Sequence, residues 1–215
     1  MENGQENTQQ LSEPVNITET DILKDFGENI PDDYVPVYTS VPKDQLLSIS
    51  NEGLDPEFRA KRLPQRAKDL DDRIKNEAEA IGKVDLDRLN SNYAYPEDPN
   101  VKLLTEYYGN PDEIILEMRV DPKSWVCDSG LYGKISELDS LIAIDPEHQT
   151  EGWVKTLNTN VLDYINSAVS LKEYLEEQYL QESISQAEVL VNGIIEPKFI
   201  RISPSKSANR QREIK

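Results

Sequence analysis

In SQAEVLVNGIIEPKFIRI (Ser185–Ile202), Gln186 and Glu188 stand two residues apart where a polar stretch turns apolar. On a strand, side chains two apart point the same way, so an amide and a carboxylate would share one face. A carboxylate partly stripped of water stabilises a positive charge developing beside it more strongly than it would in bulk solvent. The plainer alternative is a solvated acid at a strand edge and, for Gln186, a polar residue between loop and strand. Elsewhere, Tyr38, Thr39 and Ser40 form one short polar run, Tyr93 and Tyr95 alternate in NYAYP, and Arg59 and Arg88 precede those tyrosines. Tyrosine rings stack on planar ligands, and guanidinium groups pair with phosphate. Each also has a plainer use: Thr39 and Ser40 as helix caps, the tyrosines as half-wet core residues, and Arg59 to Arg73 as a solvated helix face.

The elements that must position these residues follow from periodicity and punctuation. DYVPVYTSV reads as a short strand that Pro36 limits to an edge or a start. In PKDQLLSISNEGL, Pro42 suits a first turn, Leu46 and Ile49 share a face, and Gly53 is a natural stop. Leu70, Ile74 and Ala78 predict a surface helix from about Pro64 to Ile81, ending at Gly82. RLNSNYAYP is a short strand closed by Pro96, and DPNVKLLTEYYG a short helix. DEIILEMRVDP alternates, with Ile114, Leu116, Met118 and Val120 on one face. SWVCDSG and ELDSLIAID read as shorter strand pieces, and Val161 to about Gln181 as a helix carrying Ile165, Ala168, Leu175 and Tyr179. EVLVNG and KFIRI end the series as a strand and a short return strand. Early and late helices with short strands and irregular loops predict an α+β fold.

Of 215 residues, 37% are apolar and 30% charged, with a formal net charge of −18. Residues 1–33 hold nine acidic residues and one lysine and read as a largely disordered acidic tail. Residues 203–215 read as a basic tail, which leaves 34–202 as one domain with a sizeable core. The charge argues against a general affinity for nucleic acid. One cysteine, Cys127, excludes an internal disulfide and cysteine-rich zinc sites and reads as a buried small hydrophobe; one histidine, His148, excludes a multi-histidine metal centre. With no signal-like N-terminus and no run of transmembrane length, the expectation is a cytoplasmic protein that does not enter the membrane.

Three segments together resemble the ADP-ribosyltransferase superfamily. VPVYTSVPKDQLLSISNEGLDP is similar to that family's opening strand and helix, with Thr39 and Ser40 at its hydroxyl positions and Asn51-Glu52-Gly53-Leu54 at the helix exit. NSNYAYPEDPNVKLLTEYYG is similar to the strand and helix that bring a tyrosine against nicotinamide, a role that Tyr93 fits best and Tyr95 next, and SQAEVLVNGIIEPKFIRI to the Q-x-E strand. The resemblance implies split antiparallel sheets with flanking helices, NAD as substrate and no metal. It implies Glu188 as the catalytic carboxylate and Gln186 positioning a macromolecular acceptor, protein or nucleic acid. It further implies an NAD cleft formed by Tyr38, Thr39, Ser40, Tyr93, Tyr95, Arg59 and Arg88. Such domains often serve as toxins or effectors. A related RNA 2′-phosphotransferase activity would want more basic residues. Val37 stands where many relatives carry His or Arg, which supports a different alternative: a binding or structural protein with the fold but no NAD activity.

Overall fold

The computed structural model describes residues 22–97, 112–144, 150–184 and 186–204. The expected helix DPNVKLLTEYYG, and His148, lie outside them. Two antiparallel sheets and a set of helices make an α+β protein. The three-stranded sheet has the order β1 (Val35–Pro42), β3 (Glu113–Val120), β7 (Ile200–Ile202). The four-stranded sheet has the order β2 (Ser91–Ala94), β6 (Ala187–Asn192), β4 (Trp125–Asp128), β5 (Val169–Ser170).

Alternation along the strands sets the layers. Val37, Leu116, Met118 and Ile200 meet Val126, Val189 and Val191 in a core between the sheets. The reverse face of the four-stranded sheet, with Cys127 and Leu190, packs on α3 (Gln65–Ala80), α4 (Ser129–Ile144) and α5 (Glu151–Ser167) through Ile74, Ile135, Val161 and Ile165. The four-stranded sheet is therefore the middle layer. β1 is an edge strand, as Pro36 requires, yet Tyr38 and Tyr95 exchange backbone hydrogen bonds of 2.9 and 2.7 Å that tie the two sheets together.

α1 (Leu46–Glu52) follows a 3-10 turn and buries Leu46 and Ile49. It ends at Gly53, whose φ is +86°, and a Cβ there would lie 2.3 Å from the carbonyl oxygen of Ile195. Only glycine fits that close, left-handed crossing. A short α2 (Glu57–Ala60) leads into α3, which runs along the expected stripe and ends before Gly82. On the outer face of the three-stranded sheet Glu117 is paired with Arg201 at 2.7 Å, and Phe26 lies under Arg119 and Arg201. Leu23 accepts a 2.7 Å hydrogen bond from Ile202 N, so residues 23–27 lie along β7.

Three expectations are corrected. ELDSLIAID is no strand: its described residues, to Ile144, form the second half of α4, whose apolar residues Leu131, Ile135, Leu138 and Ile142 recur at helical spacing. Read from Glu137 onward, the segment is too short for periodicity to tell helix from strand. Val161 to Gln181 is not one helix either. α5 begins earlier, where the Thr150 side chain accepts from Trp153 N, and it stops at Ser167. Lys83 Nζ caps its last carbonyls, Ile165 O at 2.7 Å and Ala168 O at 2.6 Å. Val169 and Ser170 then pair with β4, and a capping box at Ser170 and Glu173 starts α6 (Leu171–Glu176), followed by α7 (Gln178–Ser183). Finally, KFIRI does not return along β6, because β7 pairs with β3 in the other sheet. No helix among the described residues is long and apolar enough to cross a membrane.

Candidate functional site

Glu188 is the second residue of β6 and faces the helices, while Val189 and Val191 face the inter-sheet core. Only 8% exposed, its carboxylate is held by Arg88 and accepts a 3.1 Å hydrogen bond from the Tyr164 hydroxyl of α5. Arg88, on the approach to β2, is 3% exposed and lies between two acids. Its Nη1 donates to Glu188 and to Tyr164, and its Nε lies 3.3 Å from Asp71 Oδ1 on α3. Asp71, fully buried, also accepts from the Tyr132 hydroxyl of α4 at 2.9 Å and lies 3.6 Å from Arg59 Nη2. Positive and negative groups therefore alternate from Arg59 through Asp71 and Arg88 to Glu188. Unpaired burial of Asp71, Arg88 or Glu188 would be costly, and the alternation offsets part of that cost.

Aromatic rings enclose the buried cation. The Arg88 guanidinium lies 3.5 Å from the Tyr132 ring centroid, 4.8 Å from Tyr93 and 5.3 Å from Tyr164. Burial works against its charge, but Tyr164 and Glu188 outweigh that and hold its pKa well above the ordinary value. Burial pushes the hydroxyls of Tyr93 and Tyr164 well up, and that of Tyr132 to about 12. All three tyrosines are neutral hydrogen-bonding groups near neutral pH. Cys127, fully buried on β4, has its thiol raised to about 12, chiefly by burial, so it is not a nucleophile here.

On the outer side of this network lies a cavity of about 290 Å³. Thr39 and Ser40 from β1, Tyr93 and Tyr95 around β2, and Arg59 and Arg62 around α2 all line it. The Tyr38–Tyr95 backbone pair sets β1 beside β2, and so brings these distant segments together. Ser40 Oγ donates to Glu113 Oε2 at 2.6 Å, so it closes the β1–β3 edge rather than capping a helix. Arg59 stacks 3.8 Å from the Tyr93 ring centroid and donates to Arg88 O at 3.2 Å. The Tyr93 hydroxyl donates to the same carbonyl at 2.9 Å. Tyr93 and Arg59 are thus shared between cavity and network.

The structure gathers Thr39, Ser40, Arg59, Tyr93 and Tyr95 around one cavity, and Arg88 and Glu188 directly behind it. Tyr38 contributes its backbone to the seam and does not line the cavity. Gln186 is exposed; its carbonyl accepts from Ser129 N and Oγ, both at 2.9 Å, and its side chain takes no part in the network. Asp71, Tyr132 and Tyr164 were not foreseen. Asp71 does carry a signal, because it follows Leu70 and precedes Ile74 and Ala78 on one helical stripe, an acid where only apolar residues are expected. Among the described residues no group of His, Cys, Asp or Glu side chains could hold a metal ion. A larger cavity of about 490 Å³, bounded by Trp125, Asn192, Ile194 and Phe199, contains none of the foreseen residues.

Comparison with protein-family models gives no match, and neither the curated proteins nor the solved structures give one.

Proposed function

We propose that the chain is an ADP-ribosyltransferase-like enzyme of the cytoplasm that transfers ADP-ribose from NAD to a macromolecular acceptor, with residues 34–202 as its catalytic domain. The observation that carries this reading is the convergence of Thr39, Ser40, Arg59, Tyr93 and Tyr95 on one cavity, with the Glu188 carboxylate buried behind Tyr93 and Arg88. At about 290 Å³ the cavity is at the small end for ligand sites, so it takes part of the dinucleotide. Arg59 and Arg62 suit the diphosphate there, and the Thr39 and Ser40 hydroxyls suit ribose. Tyr93, the ring that the resemblance sets against nicotinamide, is half-buried and carries Arg59 at 3.8 Å, so nicotinamide takes the place of Arg59 there or stacks on Tyr95, half-buried in the same cavity wall.

In the reaction the bond between nicotinamide and ribose C1′ breaks, and its electron pair leaves with nicotinamide. Glu188 stabilises the cationic ribose that results. The acceptor nucleophile bonds to C1′ and its proton passes to solvent water, while Gln186 orients it from the exposed residue just before β6. For this, Glu188 has to part from Arg88, since a carboxylate neutralised by a guanidinium stabilises a second cation poorly.

The same ion pair favours a second reading, a binding protein in which Glu188 and Arg88 only hold the sheet on its helices. Incubation with labelled NAD and cell extract separates the two. The transferase reading expects label on an acceptor, and its loss in Glu188→Ala. Absence of transfer, of NAD hydrolysis and of calorimetric NAD binding would leave the binding-protein reading standing.

A further inference from the structure

Arg59 and Glu188 have no direct contact, yet both are tied to Asp71. The Asp71 carboxylate is divided: one oxygen is 3.6 Å from Arg59 at the cavity wall, the other 3.3 Å from Arg88. Neither ion pair is a well-formed hydrogen bond, and both Asp71 Oδ2 and Arg88 Nε are buried without a hydrogen-bond partner. This fully buried acid is bonded closely to neither arginine; its close hydrogen bond comes from the neutral Tyr132 hydroxyl at 2.9 Å, so its balance between the two cations is open to change. Arg88 is divided unequally: its Nη1 donates directly to Glu188, while its Nε stands 3.3 Å from Asp71 without a hydrogen bond. Arg59 is the mobile end of the series, with its side chain 29% exposed. Arg62 beside it is exposed and has no carboxylate partner among the described residues.

We propose that Asp71 is a positioning residue that couples an anionic group in the cavity to the freedom of Glu188. A diphosphate seated on Arg59 and Arg62 draws Arg59 off Asp71. Asp71 then takes the Arg88 guanidinium more fully, and the hold of Arg88 on Glu188 loosens. The carboxylate is released when the cavity is filled and is held when it is empty. This inference rests on the cavity's taking a phosphorylated ligand, as in the transferase reading, but it requires no turnover. It also makes a reciprocal demand, because coupling between two sites acts equally in both directions. Removing the charge of Glu188 lets Arg88 lean on Asp71, which frees Arg59 and tightens anion binding at a distance.

The test is a double-mutant cycle read by calorimetry with inorganic pyrophosphate on the full chain. Glu188→Gln is expected to tighten pyrophosphate binding about fivefold, the lower end of ordinary coupling. In an Asp71→Asn background the same substitution is expected to change nothing. A residue that merely holds the fold would give additive effects instead. If Asp71→Asn does not fold, Arg59→Gln replaces it in the cycle and should likewise abolish the response to Glu188→Gln. Equal effects of Glu188→Gln in both backgrounds, or no pyrophosphate binding by the parent protein, would overturn the proposal. Coupled pyrophosphate binding with no NAD turnover would keep the relay and remove the transferase reading, so the two fail separately.

Discussion

The two faces of β6 are made from one six-residue strand and hold the molecule together in opposite ways. Val189 and Val191 enter a dry core of aliphatic side chains between the sheets. Glu188, one residue away, enters a layer of paired charges and tyrosine rings between sheet and helices. In the first, area removed from water is enough, and neighbours are exchangeable at similar volume. In the second, every group depends on a particular partner, because the alternative is an uncompensated buried charge. A core that needs only volume is built for stability. A layer that tolerates only one set of partners stores specificity, and it reaches the cavity through Arg59 and Tyr93.

The sharpest way to break this contrast is Arg88→Met, which leaves both Asp71 and Glu188 buried with no cation between them. It should cost about 3–5 kcal/mol in urea unfolding. Adding Asp71→Asn and Glu188→Gln should restore much of that loss. A cost below about 1 kcal/mol would mean that the charges are not interdependent, and the contrast with the other face would collapse. Leu116→Ala, in the inter-sheet core, should cost about 3 kcal/mol, and no polar substitution nearby should restore it. The smallest effect lies away from both faces. Ser170→Ala removes the α6 cap and should cost about 1 kcal/mol at neutral pH. Hydrogen bonds from the Ser170 backbone and side chain hold the Glu173 pKa below its ordinary value. That contribution is full above the ordinary glutamate pKa of 4.5 and is lost as pH falls through the lower folded value. The cost of Ser170→Ala should therefore shrink in acid, measured by thermal unfolding across pH 3–7.

What could be read in advance divides along the same line. The aliphatic elements were legible, because alternation in EIILEMRV and the Leu70–Ile74–Ala78 stripe report directly which face meets a core. The Thr39, Ser40 and Tyr93–Tyr95 positions were legible as a group. The partner of Glu188 was not: Arg88 lies 100 residues away, and nothing local to either residue announces the other. Arg88 was expected to meet phosphate and instead meets two carboxylates. The break at Ala168 was hidden for a different reason. Helical periodicity continues through it, and the pairing of Val169 with Val126 on β4, together with the capping box at Ser170 and Glu173, decides against one long helix.

The sheets also impose an order on synthesis. β2 has its ladder only with β6, so Ser91 waits for Asn192 before it can pair. β1 and β3 can meet earlier, but β7 completes their sheet only when Ile200 to Ile202 have been made. On the ribosome, then, the segments of α3, α4 and α5 are made before the strand that carries Glu188 arrives to cover their apolar faces. Arg88 spends that interval without Glu188, and the arrival of β6 closes the four-stranded sheet and the charge network together, with β7 completing the other sheet just behind it.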